Sequence, residues 1–215
     1  MLFDFGGTLV SSLRDPYPVW EEVLHAHEIL LDRRTLERAF GNVDDELGPF
    51  SERYLGAPPG FVEEYDARAL AYLGIRDPSG QILEELQEGF TAPRWHQPYP
   101  ATEEVLDQLA RRGLSLHVVS NNTELLPQTL RRLGWSDRFS TVTYSQEVGA
   151  EKPDPRVFRL SLDRARCSAD EVVHVGDSWD ADYLGAKRAG LRAIWLNEAV
   201  VTRRRPARWS ATCRN

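Results

Sequence analysis

Two absences set the outer limits of this 215-residue chain. It contains two cysteines, Cys167 and Cys213, which are too few for a disulfide framework and have no metal-ligand spacing. It also lacks any apolar run near the roughly 18 residues that a membrane span requires. Only three residues precede Asp4, so we expect no signal peptide. These features predict a cytoplasmic protein with reduced thiols and no membrane contact.

Lysine is nearly absent as well. Of the 26 basic residues, only Lys152 and Lys187 are lysines. Where arginine is the default, a lysine indicates a place that needs a compact ammonium group.

The net charge is −7, and residues 16–95 alone carry 16 acidic and 7 basic side chains. This surface repels nucleic acid, so we expect no such partner. An arginine-rich tail follows Glu198, and we interpret it as a solvated terminus (Arg203, Arg204, Arg205, Arg208 and Arg214).

The spacing of apolar residues divides the chain into a helical insert and an alternating β/α region. Between about residues 17 and 91 the apolar spacing is helical, with breakers at Gly41, 58–60 and 77–80. From residue 97 onward, apolar strands alternate with helices, which is typical of a parallel sheet. We therefore predict an insert over residues 16–91 and one α/β domain made of residues 1–15 and 92–215.

Polar residues follow three of the predicted strands at the point where each strand ends. Asp4 follows the first apolar run, Ser120 ends Leu114–Val119, and Asp177 follows Val172–Val175. Lys152 lies in the loop after the short strand Thr141–Tyr144. Each of these residues alone is compatible with a helix cap or a loop. Because the carboxyl ends of parallel strands meet at one edge, where ligands bind in such folds, together they predict a site.

Four segments resemble, in order and spacing, the motifs of the haloacid dehalogenase-like (HAD) superfamily. They are Asp4-Phe5-Gly6-Gly7-Thr8-Leu9, Val118-Val119-Ser120-Asn121, the run from Glu147 to Pro155, and the run from Val175 to Asp182. The resemblance covers the whole chain. It implies an α/β, Rossmann-like core whose parallel sheet has the strand order 3-2-1-4-5, with the insert as a helical cap.

The resemblance also implies roles for individual residues. Asp4 is the expected nucleophile and Lys152 its cationic partner. Mg²⁺ is the expected cofactor, bound by Asp4, the carbonyl of Gly6 and Asp177, with Ser178 and Asp182 around it. A small phosphorylated substrate is the expected partner. Its phosphoryl group would be held by a larger set of residues (Gly6, Gly7, Thr8, Ser120, Asn121 and Lys152).

Position 6 departs from the pattern. Most phosphatases of this superfamily carry a second aspartate there, two residues after the nucleophile, which protonates the leaving oxygen. Gly6 has no side chain for this task, and general acid–base catalysis contributes roughly 10²–10⁴-fold. We therefore expect a weak phosphatase that prefers good leaving groups such as acyl or aryl phosphates. The nearest candidates for a substitute acid on the side of the insert are Asp15, His25 and His27.

Two other functions stay open at this point. One is a catalytically impaired protein that binds a phosphorylated metabolite, and the other is a haloacid dehalogenase-type C–halogen hydrolase. The acidic pair Asp177 and Asp182 favours a metal site over the dehalogenase. A phosphonate hydrolase is excluded because the insert contains no lysine for a Schiff base. Arginines of the insert are candidates for binding a second anionic group (Arg33, Arg34, Arg38, Arg53, Arg68, Arg76 and Arg94).

Overall fold

The computed structural model describes residues 1–12 and 15–197. The arginine-rich tail and Cys213 lie outside these residues. Within them the strands are β1 (Leu2–Phe3), β2 (Val10–Ser12), β3 (His96–Pro98), β4 (His117–Ser120), β5 (Thr141–Tyr144), β6 (Val173–Gly176) and β7 (Arg192–Trp195).

Five of these strands form one parallel sheet in the order β5-β4-β1-β6-β7. Numbered along the chain within that sheet, the order is 3-2-1-4-5, as predicted. Successive side chains of a strand point to opposite faces. Leu2 and Phe3 accordingly belong to two different buried clusters, one beside Val119 and the other beside Val118. β1 pairs with β4 on one side and β6 on the other and is buried on both faces, so Asp4 lies at the C-terminal end of the central strand.

Helices connect the strands and build the insert. The insert contains α1 (Tyr17–Ala26), α2 (Arg33–Leu47), α3 (Phe50–Arg53), α4 (Phe61–Tyr72) and α5 (Gln81–Phe90). The α/β region contains α6 (Thr102–Arg111), α7 (Leu126–Arg132), α8 (Ser145–Val148), α9 (Pro155–Ala165) and α10 (Gly185–Arg188), with a π-helical segment at Trp179–Leu184. No helix among the described residues is both long and apolar enough to cross a membrane.

The insert has its own buried cluster, which includes Trp20, Leu36 and Leu86. It joins the α/β region through a two-stranded antiparallel ribbon of β2 and β3, which pairs Val10 with Pro98. We did not predict this ribbon from the sequence, because its strands have three residues each and show no alternation of apolar and polar residues. The predicted domain boundaries stay a prediction.

One predicted strand starts later than expected. We predicted a strand from Leu114, but β4 begins at His117. The Leu114 amide instead donates to the Leu109 carbonyl at 3.2 Å and closes the end of α6. Its side chain is also 43% exposed. Leu114 therefore belongs to the end of the helix and not to the strand to which the apolar pattern assigned it.

Candidate active site

The structure brings the predicted strand-end residues to one cavity of about 650 Å³. Asp4 directly follows β1, and its amide donates to the Val175 carbonyl of β6 at 2.9 Å. Ser120 ends β4, Asp177 directly follows β6, and Lys152 lies in the loop between α8 and α9. Asp4, Ser120 and Lys152 are buried, and Asp177 is half-buried. Four residues far apart in sequence therefore face one space at the carboxyl edge of the sheet.

Lys152 joins two buried carboxylates. Its ammonium nitrogen Nζ lies 2.7 Å from Oδ1 of Asp4 and 2.6 Å from Oδ1 of Asp182. Burial lowers the pKa of Lys152, but the charges of Asp4 and Asp182 outweigh it and the pKa is raised. The ammonium therefore stays charged at neutral pH. One of only two lysines in the chain occupies this place.

Asp182 is held from three sides. Besides Lys152, its Oδ1 contacts Nε2 of His174 at 2.9 Å, and its Oδ2 accepts from the Ser178 amide at 3.0 Å. Burial raises the pKa of Asp182, but the hydrogen bond from His174 and the charge of Lys152 together outweigh burial and bring the pKa well below its usual range. Asp182 is therefore a carboxylate that fixes Lys152. The sequence placed it near the metal, whereas the structure adds this direct contact.

The sequence prediction missed His174. It is fully buried in β6, and its ring meets Phe158 edge-on at 5.3 Å. Burial lowers the pKa of His174, so the imidazole is neutral and donates from Nε2 to Asp182. The available signal was a histidine between two valines of an apolar strand, where a polar residue needs a buried partner.

Gly7 and Thr8 lie in the loop between β1 and β2 and bring this loop close to Asp177. Gly7 has a φ of +84°, and a Cβ there would lie 2.4 Å from Oδ2 of Asp177. Only glycine permits this approach. The Gly7 amide donates to the Val10 carbonyl at 2.8 Å. The structure therefore commits this amide to a turn instead of leaving it for the phosphoryl oxygens to which we assigned it. The Thr8 hydroxyl lies 3.3 Å from Oδ1 of Asp177 and 3.5 Å from Oδ2 of Asp4, so it links two carboxylates.

Asn121 lines the cavity that holds Asp4, and its side chain also holds the loop of Lys152. Its side-chain amide donates to the Lys152 carbonyl at 3.1 Å and accepts from the Lys152 amide at 2.7 Å. Both ends of the side chain therefore fix the lysine loop. Ser120, by contrast, is buried and lines the cavity with its hydroxyl outside any such clamp. Substrate contacts of Ser120, Gly6 and Lys152 stay predictions.

The acidic residues fit a hard divalent cation. Oxygen atoms of Asp4, Asp177 and Asp182 all lie within 4.8 Å of one another. Three carboxylates against one ammonium leave two surplus negative charges, which Mg²⁺ would balance with the oxygen ligands it prefers. Burial, followed by the charges of Asp4 and Asp182, raises the pKa of Asp177. A cation beside Asp177 would relieve this repulsion.

The insert contacts the α/β region at the cavity through Tyr54, which the sequence did not indicate. The Tyr54 hydroxyl donates to the carboxylate of Glu151 and lies 3.3 Å from Oγ of Ser145. Tyr54 and Glu151 both line the cavity that holds Asp4. Nearby, the Gly56 amide donates to the Gln146 carbonyl at 2.6 Å. These contacts join residues about 90 positions apart, which no local pattern reveals.

The three candidates for a substitute acid lie elsewhere. His25 is exposed, and His27 pairs with Glu85 at 2.8 Å inside the insert. Asp15 accepts from Arg33 at 2.7 Å. Among the described residues, none of these three lines the cavity with Asp4. The structure therefore leaves position 6 without any of the substitutes we expected.

The chain belongs to the haloacid dehalogenase-like hydrolase family, whose model matches residues 1–190. It is 30% identical to mouse haloacid dehalogenase-like hydrolase domain-containing protein 3, over 90% of this chain and 80% of that one. It is 39% identical to phosphoserine phosphatase of Thermus thermophilus, over 54% of this chain and about half (47%) of that enzyme. Its fold resembles a 2-haloacid dehalogenase of Pseudomonas syringae, with a TM-score of 0.68, 27% identity and coverage of 90% and 84% of the two chains.

Proposed function

We propose that this hydrolase is an Mg²⁺-dependent phosphatase that cleaves small phosphate monoesters through a phosphoaspartate on Asp4. The contact between Lys152 and Asp4, beside Asp177, carries the proposal. An ammonium at this point offsets the repulsion between a carboxylate nucleophile and a phosphoryl dianion. Similarity to a phosphatase over about half of this chain supports the same reaction class.

The residues assign two chemical steps. A carboxylate oxygen of Asp4 attacks phosphorus, the bond from phosphorus to the ester oxygen breaks, and the electron pair leaves with that oxygen. The departing oxygen takes its proton from water, because Gly6 offers none. Water then attacks phosphorus, the bond to Asp4 breaks, and inorganic phosphate leaves. Mg²⁺, held by Asp4, Asp177 and the Gly6 carbonyl, would neutralise phosphoryl charge when bound.

The activity is weak towards alkyl phosphates and stronger towards aryl or acyl phosphates, since their leaving oxygens need less protonation. Release of p-nitrophenol from p-nitrophenyl phosphate, with Mg²⁺ and with EDTA, tests the reaction. We expect Asp4→Asn to abolish the Mg²⁺-dependent rate. Equal rates in wild type and Asp4→Asn, with phosphorylated metabolites still raising Tm, would identify an impaired binding protein instead.

The substitution Gly6→Asp isolates the missing proton donor. We expect it to raise turnover of an alkyl phosphate such as glycerol phosphate by about tenfold or more, within the range of general acid catalysis. The rate with p-nitrophenyl phosphate should change much less, because its leaving group needs no acid. An equal change for both esters would show that position 6 acts in another way.

A C–halogen hydrolase is the second candidate, favoured by the similarity to a 2-haloacid dehalogenase and by the absence of an acid at position 6. Chloride release from 2-chloropropionate in EDTA tests it. Chloride release without p-nitrophenyl phosphate cleavage would replace the phosphatase proposal.

A further inference from the structure

A second cavity, of about 500 Å³, lies between the insert and the α/β region. It shares Phe50, Asn122 and Thr123 with the cavity that contains Asp4. The two spaces therefore adjoin at these residues. Its volume is in the range of cavities that hold small organic groups. If a phosphoryl group were bound at Asp4, the leaving group of the ester could extend past these shared residues into the second cavity.

The lining of the second cavity is aromatic. Tyr17, Phe40, Phe50 and Tyr65 contribute rings to it, and these rings pack against one another at centroid distances of 5.0 to 6.2 Å. Trp20 also lines this cavity and meets Phe40 edge-on at a centroid distance of 5.2 Å. Such a wall is held rigid by its own contacts, and it suits an aromatic or aliphatic body.

The acidic side chains of this lining are Asp15, Asp44 and Asp66, and burial lowers the pKa of its one imidazole, His96. The Asp44 carboxylate accepts from the Tyr65 hydroxyl at 2.7 Å and from the Phe50 amide at 2.9 Å, both of which are neutral donors. Asp15 is already paired with Arg33. Asp66 is buried, with a single hydrogen bond from Gln87 at 2.8 Å, and burial raises its pKa to about 8. Asp44 is therefore a charge that no cation in the lining offsets.

The arginines of the insert do not supply that cation. Arg68 pairs with Glu64 at 2.7 Å and Arg94 with Glu22 at 2.5 Å. Among the described residues, no arginine or lysine lines the aromatic cavity. None of the insert arginines that we considered for a second anionic group lines this cavity, and those whose ion pairs the structure shows are held by acidic partners.

We propose that the aromatic cavity binds the leaving group of the substrate and selects leaving groups with an apolar or aromatic body and no negative charge. A carboxylate or second phosphate placed there would face Asp44 in a partly desolvated space, where repulsion is stronger than in water. A neutral group meets no such repulsion, and an ammonium group would be attracted by Asp44 and by the aromatic rings. This inference rests on the proposed phosphatase function.

Three esters of similar size test the selection: 4-(carbamoylmethyl)phenyl, 4-(2-aminoethyl)phenyl and 4-(carboxymethyl)phenyl phosphate. A methylene group insulates the ring from each substituent, so charge is the main difference. We expect kcat/KM for the anionic ester to fall at least tenfold below the neutral ester, and the cationic ester to equal or exceed the neutral one. Equal values for all three would overturn the inference and leave the phosphatase proposal intact. Cleavage of none would overturn the phosphatase proposal.

A pair of neighbouring variants assigns the selection to the cavity. Asp44→Asn keeps an acceptor for Tyr65 but removes the charge, and should raise kcat/KM for the anionic ester several-fold relative to the neutral one. Asp45→Asn removes the same charge from an exposed position and should leave the ratio unchanged. Equal effects of the two variants would attribute the discrimination to overall charge and overturn the assignment. The wild-type series decides the charge preference even if Asp44→Asn does not fold.

Discussion

Nε2 of His174 and the ammonium of Lys152 meet the same atom, Oδ1 of Asp182. We expect His174→Gln, which retains an N–H donor, to keep most activity. His174→Leu should lower kcat, because Asp182 loses a donor and Lys152 is less firmly placed. The loss of a hydrogen bond to a charged group is worth about 1.5–3 kcal/mol in unfolding free energy. Urea unfolding and kcat with p-nitrophenyl phosphate measure the two effects. Equal losses in both variants would reduce His174 to a packing residue.

The two lysines of the chain form a matched pair. Lys152→Met leaves Asp4 and Asp182 without their buried cation, which should destabilise the fold by about 3–5 kcal/mol and abolish activity. Lys187→Met removes an exposed charge and should be silent in both measurements. Lys152 helps to lower the pKa of Asp182, so the stability that this pair contributes is present above the ordinary carboxyl pKa near 4 and is lost as the pH falls below it. The difference in unfolding free energy between Lys152→Met and wild type should therefore narrow as the pH falls towards and below 4. A gap that does not depend on pH would argue against buried charge as its cause.

Gly7 can be separated from glycines that only adopt a positive φ. Gly134 has a φ of +72° with open space around its Cα, whereas Gly7 faces Asp177. Both alanine variants should lose about 1 kcal/mol of stability from the strained backbone. Only Gly7→Ala should weaken Mg²⁺ binding, because the new methyl group displaces Asp177. Titration of Mg²⁺ by calorimetry compares the two variants, and equal affinities would contradict this role.

Asp66 predicts a pH-dependent stability. Its pKa is raised to about 8 in the folded protein by burial, against an ordinary carboxyl value in the unfolded chain. Its stabilising contribution is therefore fully present below the unfolded pKa, near 4, and is lost as the pH rises towards about 8. Asp66→Asn does not titrate, so its stability relative to wild type should rise between pH 5 and pH 8 by about a few kcal/mol. Unfolding free energies at these two pH values measure the change, and parallel curves would show that Asp66 is charged when folded.

The convergence of Asp4, Ser120, Lys152 and Asp177 could be predicted from the residues, because strand ends in a parallel sheet share one edge. The order of the strands came from the resemblance to the family. The scarcity of lysine pointed to Lys152 before any geometry was known. His174 and the link between Tyr54 and Glu151 were missed, since they depend on how separate elements pack and leave no periodic trace. Asn121 and Gly7 lie in the motifs that we predicted, but the hydrogen bonds that each makes could be seen only once the path of the backbone was known.

The ribbon of β2 and β3 carries the chain into the insert and out of it, and the ring of His96 in β3 lies 5.8 Å from that of Phe5, next to Asp4. The chain thus enters and leaves the insert through the same pair of hydrogen-bonded strands. A foreign insert grafted onto that ribbon would bring its own walls and choice of ester, while the catalytic floor stayed as it was. In such a chimaera, a change in the angle of the ribbon would reach Phe5, the residue next to Asp4, through its contact with His96.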